Sequence, residues 1–169
     1  SNASITLYDT ETKVATQNKY ENVNGVPLGD VLQSVTEIND RLYLVINNSS
    51  KIIVSDKESL KNIASIQLEE GAAPRNIIQV DENIAYITNL YTHSVSVLNL
   101  SDNTITKSIA VGENPEGIAV VNNKAFVANS GFGNGNTVSV INVNTDEVEK
   151  TITVADNPIS VVAQSNGNV

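Results

Sequence analysis

APRNIIQV (residues 73–80), NPEGIAVV (114–121) and NPISVVAQ (157–164) are three versions of one phrase, a proline followed by an alternating apolar run. Their prolines, Pro74, Pro115 and Pro158, are spaced 41 and 43 residues apart. Other phrases recur at the same interval. NIAYITN from Asn83 is answered by KAFVANS from Lys124, and RLYLVINN from Arg41 keeps the pattern without the proline. SVSVLNL from Ser94 is answered by TVSVINV from Thr137, with KIIVSDK from Lys51 and SITLYDT from Ser4 as looser copies. TITKSIAV from Thr104, EVEKTITV from Glu147 and SLKNIASIQL from Ser59 close the units. Similarity at a fixed period is the mark of a repeat architecture.

Each unit reads as four short strands in a meander. Turn formers separate them: Asn39-Asp40, Asp81-Glu82-Asn83, Ser101-Asp102-Asn103, Asn122-Asn123 and Asn144-Thr145-Asp146. Short turns of this chemistry join antiparallel neighbours. A lone twisted sheet of four strands cannot bury both faces, but sheets stacked around an axis can. The expected fold is therefore all-β: a β-propeller of four-stranded antiparallel blades, present as a partial ring. The repeats place three whole blades at 30–70, 74–112 and 115–155. A half blade covers 5–18 and the start of another covers 158–169. A β-sandwich is the competing all-β fold, but it does not predict the self-similarity.

Composition agrees and excludes several functions. The chain has 169 residues, 40% hydrophobic and 17% charged, which suits a domain with a real core rather than a disordered segment. The formal net charge is −9, and the only arginines are Arg41 and Arg75. No basic stripe exists to displace the counterions of a nucleic acid or to meet an anionic membrane, and no apolar run is long enough to span one. The acidity reads as solubility. There is no Cys, so disulfides, thiolate metal sites and a Cys nucleophile are out. With no Met, no signal peptide and a strand-like opening at Ile5, the chain reads as mature or trimmed, and Ser1-Asn2-Ala3 reads as a tag remnant or as native sequence.

The second-strand phrases carry a resemblance. Tyr86-Ile87-Thr88-Asn89, and more loosely Phe126-Val127-Ala128-Asn129, resemble the namesake motif of the YVTN family of β-propellers. Tyr43-Leu44-Val45-Ile46-Asn47 has one extra residue before the Asn. The aromatic is expected to pack between blades and the Asn to cap the strand end on neighbouring turn backbone. NGVPLGDVLQS (24–34) with the following strand pair resembles exported surface-layer or YncE-like proteins of Bacteroidetes. That resemblance implies a bacterial, extracellular, outer-membrane-surface or periplasmic location. It implies a longer ring of seven or eight blades, and some relatives capture cobalamin. The N-terminal hairpin, Ile5 to Gln17, is then expected to pair with sequence beyond Val169 or with a second copy, as a homodimer completing the ring.

Topology gathers candidate residues at the channel mouth. The loops between blades bring Asp30, Glu70, Arg75, Glu113, Glu116 and Asp156. The loops joining second to third strands bring Asn47, Asn48, Asn89, Tyr91, His93, Asn129 and Phe132. Arg75 can reach the channel, either to hold an anionic ligand group or to pair with Glu116 or Glu70. His93, the only His, is expected as a solvated loop residue, with no second His for a metal and no evident partner for base catalysis. SGFGNGNT (130–137) is the longest such loop, and Phe132 at its tip either meets a ligand or partner or folds back on its blade. It is neither a dinucleotide fingerprint nor a calcium loop. The acidic pairs Glu69-Glu70, Asp81-Glu82 and Asp146-Glu147 are solvated turns, because acid–base pairs face each other across a cleft.

No catalytic residue, cofactor or metal site is expected. The ligand or partner candidates are Arg75, Asn89, Tyr91, His93, Asn129 and Phe132. The expected function is non-catalytic binding of a small molecule, cobalamin foremost, or of a cell-surface protein. The alternatives are a surface-layer or adhesion module and a quinoprotein-like or lactonase-like enzyme. The lack of Trp for a quinone to stack on speaks against the quinoprotein.

Overall fold

A computed structural model describes residues 2–169; the expectation for Ser1 lies outside them. The chain opens with a short hairpin, β1 (Leu7–Tyr8) and β2 (Ala15–Thr16), and a six-residue helix, α1 (Lys19–Asn24). Twelve strands follow as three four-stranded antiparallel sheets, each with its strands in chain order. The first holds β3 (Leu32–Ile38), β4 (Arg41–Ile46), β5 (Lys51–Asp56) and β6 (Asn62–Gln67). The second holds β7 (Pro74–Gln79), β8 (Ile84–Asn89), β9 (Ser94–Asn99) and β10 (Thr104–Ala110). The third holds β11 (Pro115–Val121), β12 (Lys124–Asn129), β13 (Thr137–Asn142) and β14 (Glu147–Thr153).

The turns form where the residues tolerate them. Asn39-Asp40 and Asn122-Asn123 have φ of 49°, 61°, 50° and 58°, the paired left-handed conformation that a two-residue hairpin loop needs to match strand twist. Asp81 accepts hydrogen bonds from the backbone N–H groups of Asn83 and Ile84, both at 2.7 Å, and so closes its turn with its own side chain.

The blades stand side by side through their first strands, and the repeat supplies the contacts in register. Ser34 Oγ donates to the Arg75 carbonyl at 2.8 Å. One blade on, Asn76 Nδ2 donates to the Glu116 carbonyl at 3.1 Å. Gly117 N donates to the Ile159 carbonyl at 3.1 Å. Ser34, Asn76 and Gly117 hold the same place in their strands, so one position in each blade ties it to the next.

Strand alternation explains the core. Tyr43, Val45, Ile52 and Val54 point from the first blade into a cluster with Ala85, Ile87 and Leu98 of the second. Tyr86, Val95 and Val97 point from the second toward Ala125, Val127 and Ile141 of the third. Central strands buried on both faces read as continuous apolar runs, which is why β4 is Leu-Tyr-Leu-Val-Ile after Arg41. The other face of the first blade, Leu44, Ile46 and Ile53, is covered by Tyr20, Leu28, Ala3 and Ile5 of the N-terminal segment. Asn24 fixes that cover in place. Its Nδ2 donates to the Leu60 carbonyl and its Oδ1 accepts from Asn62 N.

Two stretches differ from the sequence reading. The half blade expected at 5–18 is a two-residue strand pair, followed by a helix that the repeat does not contain. Residues 158–169, expected to start a further blade, form no strand. A first strand needs a second one beside it to complete its ladder, and nothing in 158–169 supplies it. The segment still lies along β11 through Ile159, and with Phe126, Val138 and Ile152 it encloses an apolar groove of about 380 Å³.

Candidate functional site: the channel wall and an aromatic pair above it

The residues after the strand-opening positions (Gln33, Arg75, Glu116) meet along the row of first strands. Arg75 joins all three. Its Nε donates to Glu116 Oε2 at 2.6 Å and its Nη1 to Gln33 Oε1 at 2.7 Å. The partner is therefore Glu116 and not Glu70, and the pair is only 24% and 15% exposed. Glu116 is also the structural hub of its neighbourhood, since its carbonyl accepts from both Asn76 Nδ2 and Thr88 Oγ1. Arg75→Ala would strand the Glu116 carboxylate in the wall. Because neither partner is fully buried, the expected loss is about 2 kcal/mol, below the roughly 3–5 typical of breaking a buried pair. Chemical denaturation of Arg75→Ala and of the double variant Arg75→Ala/Glu116→Gln checks it, since the second should recover part of the loss.

The motif asparagines divide. Asn47, shifted by its extra residue, donates from Nδ2 to the Pro74 carbonyl of the next blade at 3.0 Å, as a backbone cap should. Asn89 instead donates to Ser94 Oγ and Ser96 Oγ at 3.3 and 2.8 Å. Asn129 donates to Thr137 Oγ1 and Ser139 Oγ at 3.1 and 3.0 Å. The expected turn-backbone cap is thus corrected for these two, because hydroxyls on the facing strand lie nearer. Ile46, not Asn47, occupies their place in the first blade, opposite Lys51. Asn89 and Asn129 are buried to 2% and 1% exposure, so both brace the loops from below.

His93 sits at φ 50° in an exposed loop, and its Nδ1 accepts the Asn114 backbone N–H at 3.0 Å. Its carbonyl accepts from Val111 N. Both contacts tie the loop of the second blade to the connection entering the third. Among the described residues, no three His, Asp or Glu side chains are grouped to hold a metal ion.

Tyr91 and Phe132 come together. They lie on the second-to-third-strand loops of adjacent blades, 58% and 60% exposed, with ring centroids 5.8 Å apart and planes tilted by 46°. Phe132 does not fold back onto its own blade. Its φ of 52° puts a bulky residue in the left-handed region, at a cost on the order of 1 kcal/mol or more. Ser130 Oγ accepts Phe132 N, and Gly131 N and Ser130 N bond the Glu113 and Asn114 carbonyls, so the loop holds the strained residue outward. The sequence singled out both rings but not their contact. Their matching places in neighbouring repeats were the available signal.

Side-by-side four-stranded meanders joined through their first strands make this chain a segment of a β-propeller. It belongs to the family described as a domain of unknown function (DUF5074), whose model matches residues 1–169. No curated protein matches it. Solved structures agree on the fold. Kuenenia stuttgartiensis hydrazine synthase is 22% identical with a TM-score of 0.71, over 82% of this chain and 38% of that one. The WD40 β-propeller domain of Doa1 is 13% identical with a TM-score of 0.68, over 80% and 45%. A Bacteroides caccae protein of unknown function is 12% identical with a TM-score of 0.61, over 75% and 52%. The chain thus spans well under two thirds of each of these proteins.

Proposed function

We propose that this propeller segment serves a non-catalytic binding protein whose ligand or partner is gripped on the face carrying Tyr91 and Phe132. The observation that carries the reading is the exposed aromatic pair, supplied by two blades and held outward by a strained backbone. Rigid exposed aromatics supply contact area at low entropic cost and dominate binding energy where they occur. The polar groups nearby favour binding over catalysis: Arg75 and Glu116 neutralise each other, and the His93 Nδ1 is committed to backbone.

The finer reading is capture of cobalamin by an exported, cell-surface protein. Its support is the likeness of the strand phrases and of residues 24–34 to surface-layer propellers. Titrating the full-length protein with cyanocobalamin is expected to give a saturable heat and a visible spectral change. Phe132→Ala and Tyr91→Ala are each expected to weaken it by about tenfold or more while leaving stability near that of the parent. No binding would remove cobalamin; binding untouched by either variant would move the site off this face.

A further inference from the structure

The opposite face of the propeller holds an arrangement that the repeat itself exposes. Between the second and third blades, the hydroxyl of buried Tyr86 donates to the carboxylate of Asp146 on the β13–β14 turn. Between the first and second blades, Tyr43 takes the place of Tyr86 and Asn103 that of Asp146. The two turn residues share the left-handed conformation, with φ of 60° and 53°. The carboxylate has therefore been lost at this interface. A cation has been gained as well: two residues before the tyrosine, Ile84 in the second blade is Arg41 in the first.

The Arg41 guanidinium lies beside the Tyr43 hydroxyl, whose pKa burial raises and the Arg41 charge pulls back down. Among the described residues Arg41 forms no ion pair with a carboxylate, although the protein is strongly acidic. Between the blades is a polar pocket of about 180 Å³, walled by Asn39, Arg41, Tyr43, Asn83 and Ser101, with Glu82 and Leu100. The side-chain oxygen of Asn103, on the same turn as Ser101, is buried without a hydrogen-bond partner.

We propose that this pocket binds a small organic carboxylate beside Arg41 and Tyr43, at the interface that lacks a carboxylate like the one Asp146 supplies one blade further on. The ligand's oxygens accept from the Arg41 guanidinium, which suits a carboxylate's two-oxygen geometry, and from the Tyr43 hydroxyl. The Asn39 and Asn83 amides offer neutral donors around it, whereas the Ser101 hydroxyl donates to Asn99 Oδ1. Glu82 is the carboxylate on the wall, and its charge opposes the ligand.

Acetate is the probe. Ligand-observed NMR on the full-length protein is expected to show saturable acetate binding in the millimolar range, unaffected by chloride at matched ionic strength. Arg41→Leu should weaken binding by about tenfold or more, and Glu82→Gln should strengthen it by about threefold. Asn103→Asp restores the internal carboxylate, so it should abolish acetate binding and raise the thermal midpoint, a readout that does not depend on Arg41→Leu folding. Signals equally reduced by chloride, or binding of equal strength in Asn103→Asp, would overturn the proposal.

Discussion

Tyr86→Ala is expected to destabilise the protein by about 3–5 kcal/mol, the range for truncating a buried aromatic ring. The ring is fully buried among Val95, Val97, Ala125, Val127 and Ile141, so its removal opens a cavity across the seam between two blades. Neither blade can close over it alone, because the third blade's first strand is tied at the Glu116 carbonyl to Asn76 and Thr88 of the second. Tyr86→Phe separates the two parts of the role. It keeps the ring and loses only the hydroxyl's bond to Asp146, for an expected cost of about 1–2 kcal/mol. Burial, and after it the Asp146 carboxylate, raises the Tyr86 hydroxyl's pKa above its ordinary 10.0. The unfolded chain then loses this proton first as pH rises. The group's stabilisation is fully present below pH 10.0 and declines above it toward the raised folded value. Urea unfolding at about pH 8 and above pH 10.0 should show this decline in the parent and a smaller one in Tyr86→Phe. Equal stability of Tyr86→Ala and the parent would mean the ring is not the seam's anchor.

The blades were legible because the physics that builds them is local and repeated. Pro74 and Pro115 mark first strands, Asn39-Asp40 and Asn122-Asn123 mark tight hairpins, and apolar runs such as Leu44-Val45-Ile46 mark strands buried on both sides. The helix α1 was not legible. It has six residues, no side-chain cap at Asn18, and too few turns to show a period. Its reason for existing is tertiary, namely Tyr20 covering the first blade beside Leu44 and Ile46. The strand missing from 158–169 is the converse case: its pattern repeats the first-strand phrase, but a strand is a property of a pair. At the site, Tyr91, His93 and Phe132 lie on the loops that the spacing assigned them, but Arg75, Asn89, Glu116 and Asn129, read as loop residues, belong to strands, and the partners were left open. Whether Arg75 meets Glu116 or Glu70, or Phe132 meets Tyr91 or its own blade, is set by distances between blades. The single-residue shift at Asn47 shows how little sequence it takes to change a partner, since it exchanges serine hydroxyls for a proline carbonyl.

Gly135→Ala is expected to cost about 3 kcal/mol or more, at the upper end for forcing an added carbon into packed structure. A Cβ at this position would stand 2.4 Å from the Asn129 carbonyl oxygen and 2.7 Å from Gly131 N and Ser130 C. All three are backbone atoms, so no rotamer change can relieve them. The position is also tied twice: Gly135 N donates to the Ser130 carbonyl at 2.9 Å, and its carbonyl accepts from Asn157 N at 2.7 Å. Its requirement is space, whereas Gly133 needs glycine for its φ of 96°, and a methyl there would meet nothing within 4 Å. Gly133→Ala should therefore cost only about 1 kcal/mol. The two substitutions lie close together in the loop that presents Phe132, which makes them a matched pair. Gly135→Ala should release the loop from Asn129 and Asn157, speed hydrogen exchange across 130–136, and weaken whatever the Tyr91–Phe132 face binds. Gly133→Ala should keep the anchors and change these readouts far less. If both variants unfold at the same denaturant concentration, the loop has slack at its base, and the outward pose of Phe132 is not imposed from Gly135.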